Sequence, residues 1–359
     1  MDRLIDCSSL VAKIHEWTRA DERVFEERLS DALKNYCEEI STGVKYTGFA
    51  DVYDIFNEAS VYKPSKTFKK RLKKLCDYIL STYVDYNNGT IAKCIMNKWW
   101  KNYQKDWSFA TIHGGGPQRF YRMRSKVEGT KTYKIFKRKD LFHVPFDKRE
   151  AIKSYRFSMI GMPCLYLGCS IYVCWEEMRR TVMDDLMISA FALNEKCSLN
   201  LLDLRIKREI KSQQELINYL MTLPLIIACS FKVKSDDGIY KPEYVFPQLV
   251  MHMIVQNSAS DRKIDGVYFD TTQQEEDFES YIGNDLRMIE NIAIPVYKVS
   301  NKGHCAKLKT MFTLTEPTTK EYEENKDPLY GIASSNPVEN TIFYVLEERI
   351  DKKEFGPIE

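Results

Sequence analysis

The hydrophobic period of this chain changes at His113-Gly114-Gly115-Gly116-Pro117, and that change limits the fold more than any other feature. Before it, apolar residues recur at spacings of three and four: Leu10, Ile14 and Trp17; Phe25, Leu29, Leu33 and Tyr36; Phe68, Leu72, Leu75 and Ile79. Such spacing lines one stripe of a helix. Thr18 or Asp21 is the expected cap of the second helix, followed by acidic Glu22, Glu26 and Glu27, and the third helix starts after Pro64-Ser65. Trp99, Trp100, Tyr103 and Trp107 close the segment. Beyond the glycines, β-branched and aromatic residues alternate with polar ones, as in Phe120-Tyr121-Arg122-Met123-Arg124 and Tyr133-Lys134-Ile135-Phe136, which is the period of strands. The glycines lack the spacing of a phosphate-binding loop and mark a linker.

These patterns describe an α+β protein: an all-helical N-terminal domain over residues 1–110, serving partner binding or regulation, and a mixed or antiparallel sheet with flanking helices over 111–359. Further strands are expected at Met187–Leu193, Leu199–Leu204, Asn291–Tyr297 and Ile342–Leu346. Helices are expected at Gln213–Leu223, ending before Pro224, and from Tyr244 to Ile254. Ile264 to Thr272 reads as a turn and a short strand. The chain contains no internal repeat and no regular strand-helix alternation.

Composition excludes several functions. Lys and Arg total 53 against 51 Asp and Glu, a net charge of +2, so there is no general attraction to nucleic acid or anionic membrane. Lys63, Lys66, Lys69, Lys70, Arg71, Lys73 and Lys74 surround the Phe68 stripe and read as a solvated helix face. No apolar run approaches the roughly 20 residues of a membrane span, and Met1 to Asp6 carry charge where a signal peptide would be apolar. The expectation is a cytoplasmic protein without a membrane partner. Ten cysteines occur without a Cys-x-x-Cys pair, and Cys164, Cys169 and Cys174 recur every five residues, which suits free thiols rather than a metal site. His113, His143, His252 and His304 show no partner at catalytic spacing.

The chemistry concentrates between Arg156-Phe157-Ser158, Gly161-Met162-Pro163, Leu165-Tyr166-Leu167 and Glu176-Glu177, read as a β-turn-β-α unit. An arginine fork binds phosphate bidentately and stays charged. A tyrosine offers a flat face and a hydroxyl. A carboxylate beside a sugar stabilises the positive charge that develops when a glycosidic bond opens. Together they suit cleavage at the C1 carbon of a ribose.

These residues resemble the RES domain, a family of NAD-consuming proteins related in fold to ADP-ribosyltransferase toxins. Phe120 to Arg124 is similar to its opening strand, Arg156 to Leu167 to its central motif, and Glu177, eleven residues after Tyr166, to its helical glutamate. Tyr244, Pro247-Gln248 and Ile264-Asp265-Gly266-Val267 resemble its late section, so the likeness covers roughly residues 118 to 300. The resemblance implies an ADP-ribosyltransferase-like sheet domain that removes nicotinamide from NAD, its substrate, and passes ADP-ribose to inorganic phosphate, water or a protein. NAD phosphorylase, NAD glycohydrolase and ADP-ribosyltransferase activities all fall within that scope. It also implies a toxin or defence role, and an inhibitory antitoxin or regulatory protein as partner; the cysteine spacing already argues against a metal. Arg122, Tyr166 and Glu177 become the catalytic set; Arg156, Ser158, Arg124, Glu176 and Thr271 become substrate-binding candidates. Phe269 and Thr271 stand where the family commonly has tyrosine and serine. Adjacent helical residues point about 100° apart, so only one of Glu176 and Glu177 can face a cleft. The competing readings are a non-catalytic module that senses NAD or ADP-ribose, and a nucleic-acid-binding protein using the basic helix.

Overall fold

The computed structural model describes residues 5–48, 60–88, 100–128, 132–133, 136–234, 240–256, 263–273, 285–326 and 341–359. Trp99 and Lys134-Ile135, which entered the pattern reading, lie outside them. The chain forms two units, Met1–Phe109 with Leu202–Met253, and Ala110–Leu201 with Ile254–Glu359. Residues 111–359 are therefore not one domain. The reason is the helix Gln213–Ser230, in which every residue from Tyr219 to Cys229 is buried. A helix apolar on all sides needs neighbours on all sides, and the helices Phe25–Thr42 and Lys66–Asn87 pack against it.

In this first unit the stripes sit where their spacing puts them. Ser65 Oγ accepts from Phe68 N to start Lys66–Asn87, and Leu72, Leu75, Ile79 and Tyr83 are buried along it. Neither Thr18 nor Asp21 caps Phe25–Thr42, whose N-cap is Val24 without a side-chain bond. Thr18 instead donates to Ile14 O, and Asp21 accepts from Arg23 N. Much of the basic charge of Lys66–Asn87 is engaged locally, Lys73 with Asp77, Arg71 with Asp106, and Lys69 donating to Ser41 O. The unit also holds a four-stranded antiparallel sheet built from Glu209–Ile210, Ile5–Asp6, Val44–Gly48 and Ser60–Tyr62. Strands this short carry too few alternations to show as a pattern.

Gln213–Ser230 does not end before Pro224 but runs through it. Proline cannot donate to the carbonyl four residues back, which normally breaks a helix. Here the orphaned acceptor is Leu220 O, and the fully buried Tyr36 donates its hydroxyl to it at 2.6 Å. Tyr36→Phe should therefore leave a buried carbonyl unsatisfied and lower unfolding stability by about 1–3 kcal/mol. Chemical denaturation of the variant against the parent measures this, and an unchanged midpoint would refute the account. A buried ion pair, Arg28 Nη1 to Glu243 Oε1 at 2.9 Å, ties the same helix layer to the turn Pro242–Tyr244.

The second unit is organised by a nine-stranded sheet, in the order Phe355–Gly356, Phe312–Thr315, Leu186–Leu193, Phe120–Ser125, Cys164–Gly168, Glu290–Pro295, Gly266–Asp270, Ser198–Asp203, Phe109–His113. Phe120–Ser125 makes six residue pairs with Leu186–Leu193, and Cys164–Gly168 makes five with Glu290–Pro295, all antiparallel. Between these two ladders only Tyr121 and Gly168 are paired, so the sheet opens along one seam. One face packs Phe120, Leu165, Leu167, Phe191, Ile292 and Leu314. The other packs Tyr121, Met123 and Ile188 beneath two helices, Ile171–Glu177 and Ile342–Asp351.

Two local expectations change. Arg156-Phe157-Ser158 is a turn closed by a Tyr155–Ser158 bridge, not a strand, and it reaches the strand Cys164–Gly168 through Gly161, whose φ of +75° suits glycine. Ile342–Leu346 is the first half of a helix, started by Thr341 Oγ1, which accepts from Tyr344 N. Five apolar residues cannot distinguish strand from helix, and the continuation to Ile350 decides it.

Candidate active site

Glu177 ends the helix that follows the seam strand. Ser170 Oγ accepts from Val173 N at 3.0 Å to begin that helix, and Glu347 Oε1 accepts from Ile171 N at 2.6 Å. Gly168 brings strand and helix into close approach: a Cβ there would lie 2.6 Å from both Cys174 Sγ and Val173 Cγ1. The helix terminates in two residues of positive φ, Arg179 at 58° and Arg180 at 50°, uncommon for side chains of this kind. Arg180 is held there by Glu176 at 2.8 Å and by the Trp175 ring 5.5 Å below its guanidinium.

That arrangement separates the two glutamates. Glu176 is buried and committed to Arg180 and to the hydroxyl of Tyr172. Glu177 points the other way and is exposed, yet protein surrounds it closely enough that burial raises its carboxyl above the ordinary range. The carboxylate is thus reachable by a ligand and still poorly hydrated. A hydrogen bond from the Thr271 hydroxyl, then the charges of Arg156 and Arg179, pull against that rise. Asn291 Nδ2 donates to Glu177 Oε1 at 3.3 Å.

Arg156 and Thr271 arrive from the flanking segments. Arg156 is 9% exposed and donates from Nη2 to Thr272 Oγ1 at 2.7 Å. Thr271 follows the strand Gly266–Asp270 and is 4% exposed. Tyr166 acts as a clamp: its hydroxyl accepts from Phe157 N at 3.1 Å and lies 2.6 Å from Ser158 Oγ. Burial pushes its phenol well above the usual value. Ser158 is buried in that clamp, and Tyr155, about half exposed, sets its ring edge-on to Tyr166 at 6.1 Å.

Arg122 occupies the seam. Its Nη1 donates to Tyr166 O at 3.3 Å, while its Nε is buried without a partner among the described residues. Burial, followed by the charge of Arg124, lowers the guanidinium to about 10. A guanidinium with an unused buried donor is able to hold an anion. Arg124, two residues along the same strand, donates to Asp140 O at 2.7 Å and lies over Phe136.

The structure thus brings Glu177, Thr271 and Arg156 together, joins Ser158 to Tyr166, and links Tyr166 to Arg122 through its carbonyl. Nothing described connects Arg124 to Glu177, and Glu176 faces Arg180. Two contributors escaped the sequence reading, Asn291 and Thr272. Asn291 had a signal: with Glu290 it interrupts the otherwise apolar run Ile289 to Val296, and it is 6% exposed in the fold. Among the described residues no cluster of His, Cys, Asp and Glu could hold a metal ion, and no helix is long and apolar enough to cross a membrane.

In a comparison with curated proteins, the chain is 33% identical over 238 residues to a Bacillus subtilis (strain 168) protein described as "Putative toxin YopC". The match takes in 62% of this chain and 51% of that protein, so the chain spans about half the relative's length. No protein-family model and no solved structure matches the chain.

Proposed function

We propose that the Glu177 site cleaves the bond between nicotinamide and ribose in NAD and hands ADP-ribose to an acceptor. The observation that carries this reading is an exposed carboxylate, Glu177, that accepts hydrogen bonds from Thr271 and Asn291 and lies in the field of Arg156 and Arg179. Arg122 and Arg156 hold the diphosphate, and the Tyr166 ring, fixed by its clamped hydroxyl, packs against the nicotinamide ribose. As the bond breaks, its electron pair leaves with nicotinamide, which departs neutral and needs no general acid. Positive charge then grows on the ribose C1, where Glu177 opposes it. Asn291 and Thr271 orient that carboxylate, so the work of the site is placement and electrostatics. The acceptor oxygen, from phosphate, water or a protein side chain, attacks C1 and loses its proton to solvent.

The relative's description as a toxin supports an effector role, with an inhibitory protein as partner. The deciding assay incubates purified protein with NAD, with and without inorganic phosphate, and follows nicotinamide and the ADP-ribose product by chromatography. Release of nicotinamide is the expected result, with ADP-ribose phosphate as product if phosphate accelerates it. Tight binding of NAD or ADP-ribose without any release would replace the enzyme by the sensor reading.

A further inference from the structure

In the first unit, Cys37 on the helix Phe25–Thr42 and Cys76 on Lys66–Asn87 bring their sulfurs to 3.5 Å where the two helices pack. Both thiols are free; Cys76 is buried and Cys37 half-buried. Cys37 opens onto a shallow groove whose walls include Ile40, Ser41, Lys69, Lys70 and Lys73. Three lysines stand around one reachable sulfur; of the charges acting on it, Lys73 favours the thiolate, and Asp77, 3.3 Å from Lys73, and Glu38 oppose it. The hydrogen bond between the two thiols, aided by Lys73 and opposed by burial, holds the Cys37 thiol below its ordinary pKa, whereas Cys76 lies well above its own. Elsewhere burial pushes Cys164 and Cys174 up to about 12. The pair therefore has an accessible nucleophile and a buried second thiol already within reach of it.

We propose that Cys37 and Cys76 form a thiol–disulfide exchange site whose reactant is an anionic low-molecular-weight disulfide. The Cys37 thiolate attacks one sulfur of the reactant; the reactant's S–S bond breaks and its electron pair leaves with the first thiolate. Cys76 then attacks the Cys37 sulfur, expels the second thiolate and gives up its proton to it. The two cysteines are oxidised to a disulfide, and the reactant is reduced to one thiolate and one thiol. The sulfurs, 3.5 Å apart, must approach to a bond of about 2.05 Å. The product staples the two helices.

The test treats the full-length chain with dithiobis(nitrobenzoate), an anionic disulfide, and with cystamine, a cationic one, each scaled to its rate on a small free thiol. Wild type should release about two equivalents of nitrothiobenzoate in a fast phase and keep no adduct, with Cys37 and Cys76 joined in the peptide map. Cys76→Ser should release one and retain the adduct on Cys37; Cys37→Ser should lose the fast phase. Lys69→Gln, Lys70→Gln and Lys73→Gln together should slow the anionic reagent about tenfold and leave cystamine unchanged. A stable adduct on wild-type Cys37, a fast phase surviving in Cys37→Ser, or equal effects on the two reagents would overturn the proposal. The wild-type product decides the pairing without relying on any variant's fold.

Discussion

Glu177→Gln should reduce nicotinamide release by about 10²–10³, the usual loss when one charged stabiliser of a transition state is removed, and leave NAD affinity nearly intact. The reasoning starts from where charge exists. Bound NAD carries its positive charge on the nicotinamide ring, and the ribose C1 becomes cationic only as the bond opens. An interaction made only in the transition state lowers kcat and leaves binding alone. Glutamine preserves the shape and can still bond Asn291 and Thr271, so the surroundings of position 177 remain.

Stability supplies an independent control. Burial disfavours the ionised form of Glu177, so a neutral isostere should unfold no more easily than the parent. Glu176→Gln should do the reverse: it weakens the ion pair to Arg180, which restrains two positive-φ residues, and lowers the thermal midpoint, but keeps turnover per folded molecule. Steady-state kinetics with thermal unfolding of both variants separates the two roles. Equal losses of kcat in both would remove Glu177 from the mechanism. In wild type the acid limb of the kcat profile should lie above the ordinary carboxylate range, following the raised Glu177 carboxyl.

Much of this was legible before any coordinates because the deciding interactions are local. The spacing of Phe68, Leu72, Leu75 and Ile79 and the serine before them determine where that helix begins, and the alternation around Arg122 and from Met187 to Leu193 determines the strands. That Glu176 and Glu177 would point apart follows from helical geometry, whereas the preference for Glu177 rests on its spacing after Tyr166 in the family resemblance. What stayed hidden depends on partners far along the chain. Pro224 reads as a helix end until Tyr36, 184 residues from Leu220, takes up the abandoned carbonyl. Leu202–Met253 reads as part of the sheet domain until its all-apolar helix finds cover on Phe25–Thr42 and Lys66–Asn87. Asn291 approaches Glu177 across 114 residues of chain, and no periodicity encodes such a meeting.

Raising the pH from 6 to 8 should weaken the second unit, and Glu347→Gln should abolish most of that weakening. Glu347 lies on the helix Ile342–Asp351 and is 4% exposed. Burial pushes its carboxyl from 4.5 to about 8; the hydrogen bond from Ile171 N and the charge of Arg287, 3.9 Å away, oppose the rise, while Asp351 and Asp285 add to it. The folded chain therefore holds this proton between about pH 4.5 and 8, where the unfolded chain has released it. Stability from this group is complete below the lower value and is lost as pH climbs through the upper one, the opposite of the usual acidic side chain. The slope is about 1.4 kcal/mol per pH unit in that window, hence roughly 2–3 kcal/mol from pH 6 to 8, or a midpoint shift of about 5–10 °C. Glutamine mimics the protonated acid and can still accept from Ile171 N, which keeps the Glu177 helix in place. At pH 8 the variant should melt above the parent, and at pH 5 the two should nearly coincide. Taking the difference between the proteins at each pH cancels the histidines and the other carboxyls. A parent that gains stability relative to Glu347→Gln as pH rises would mean that Glu347 is ionised in the fold, with Arg287 rather than burial governing it.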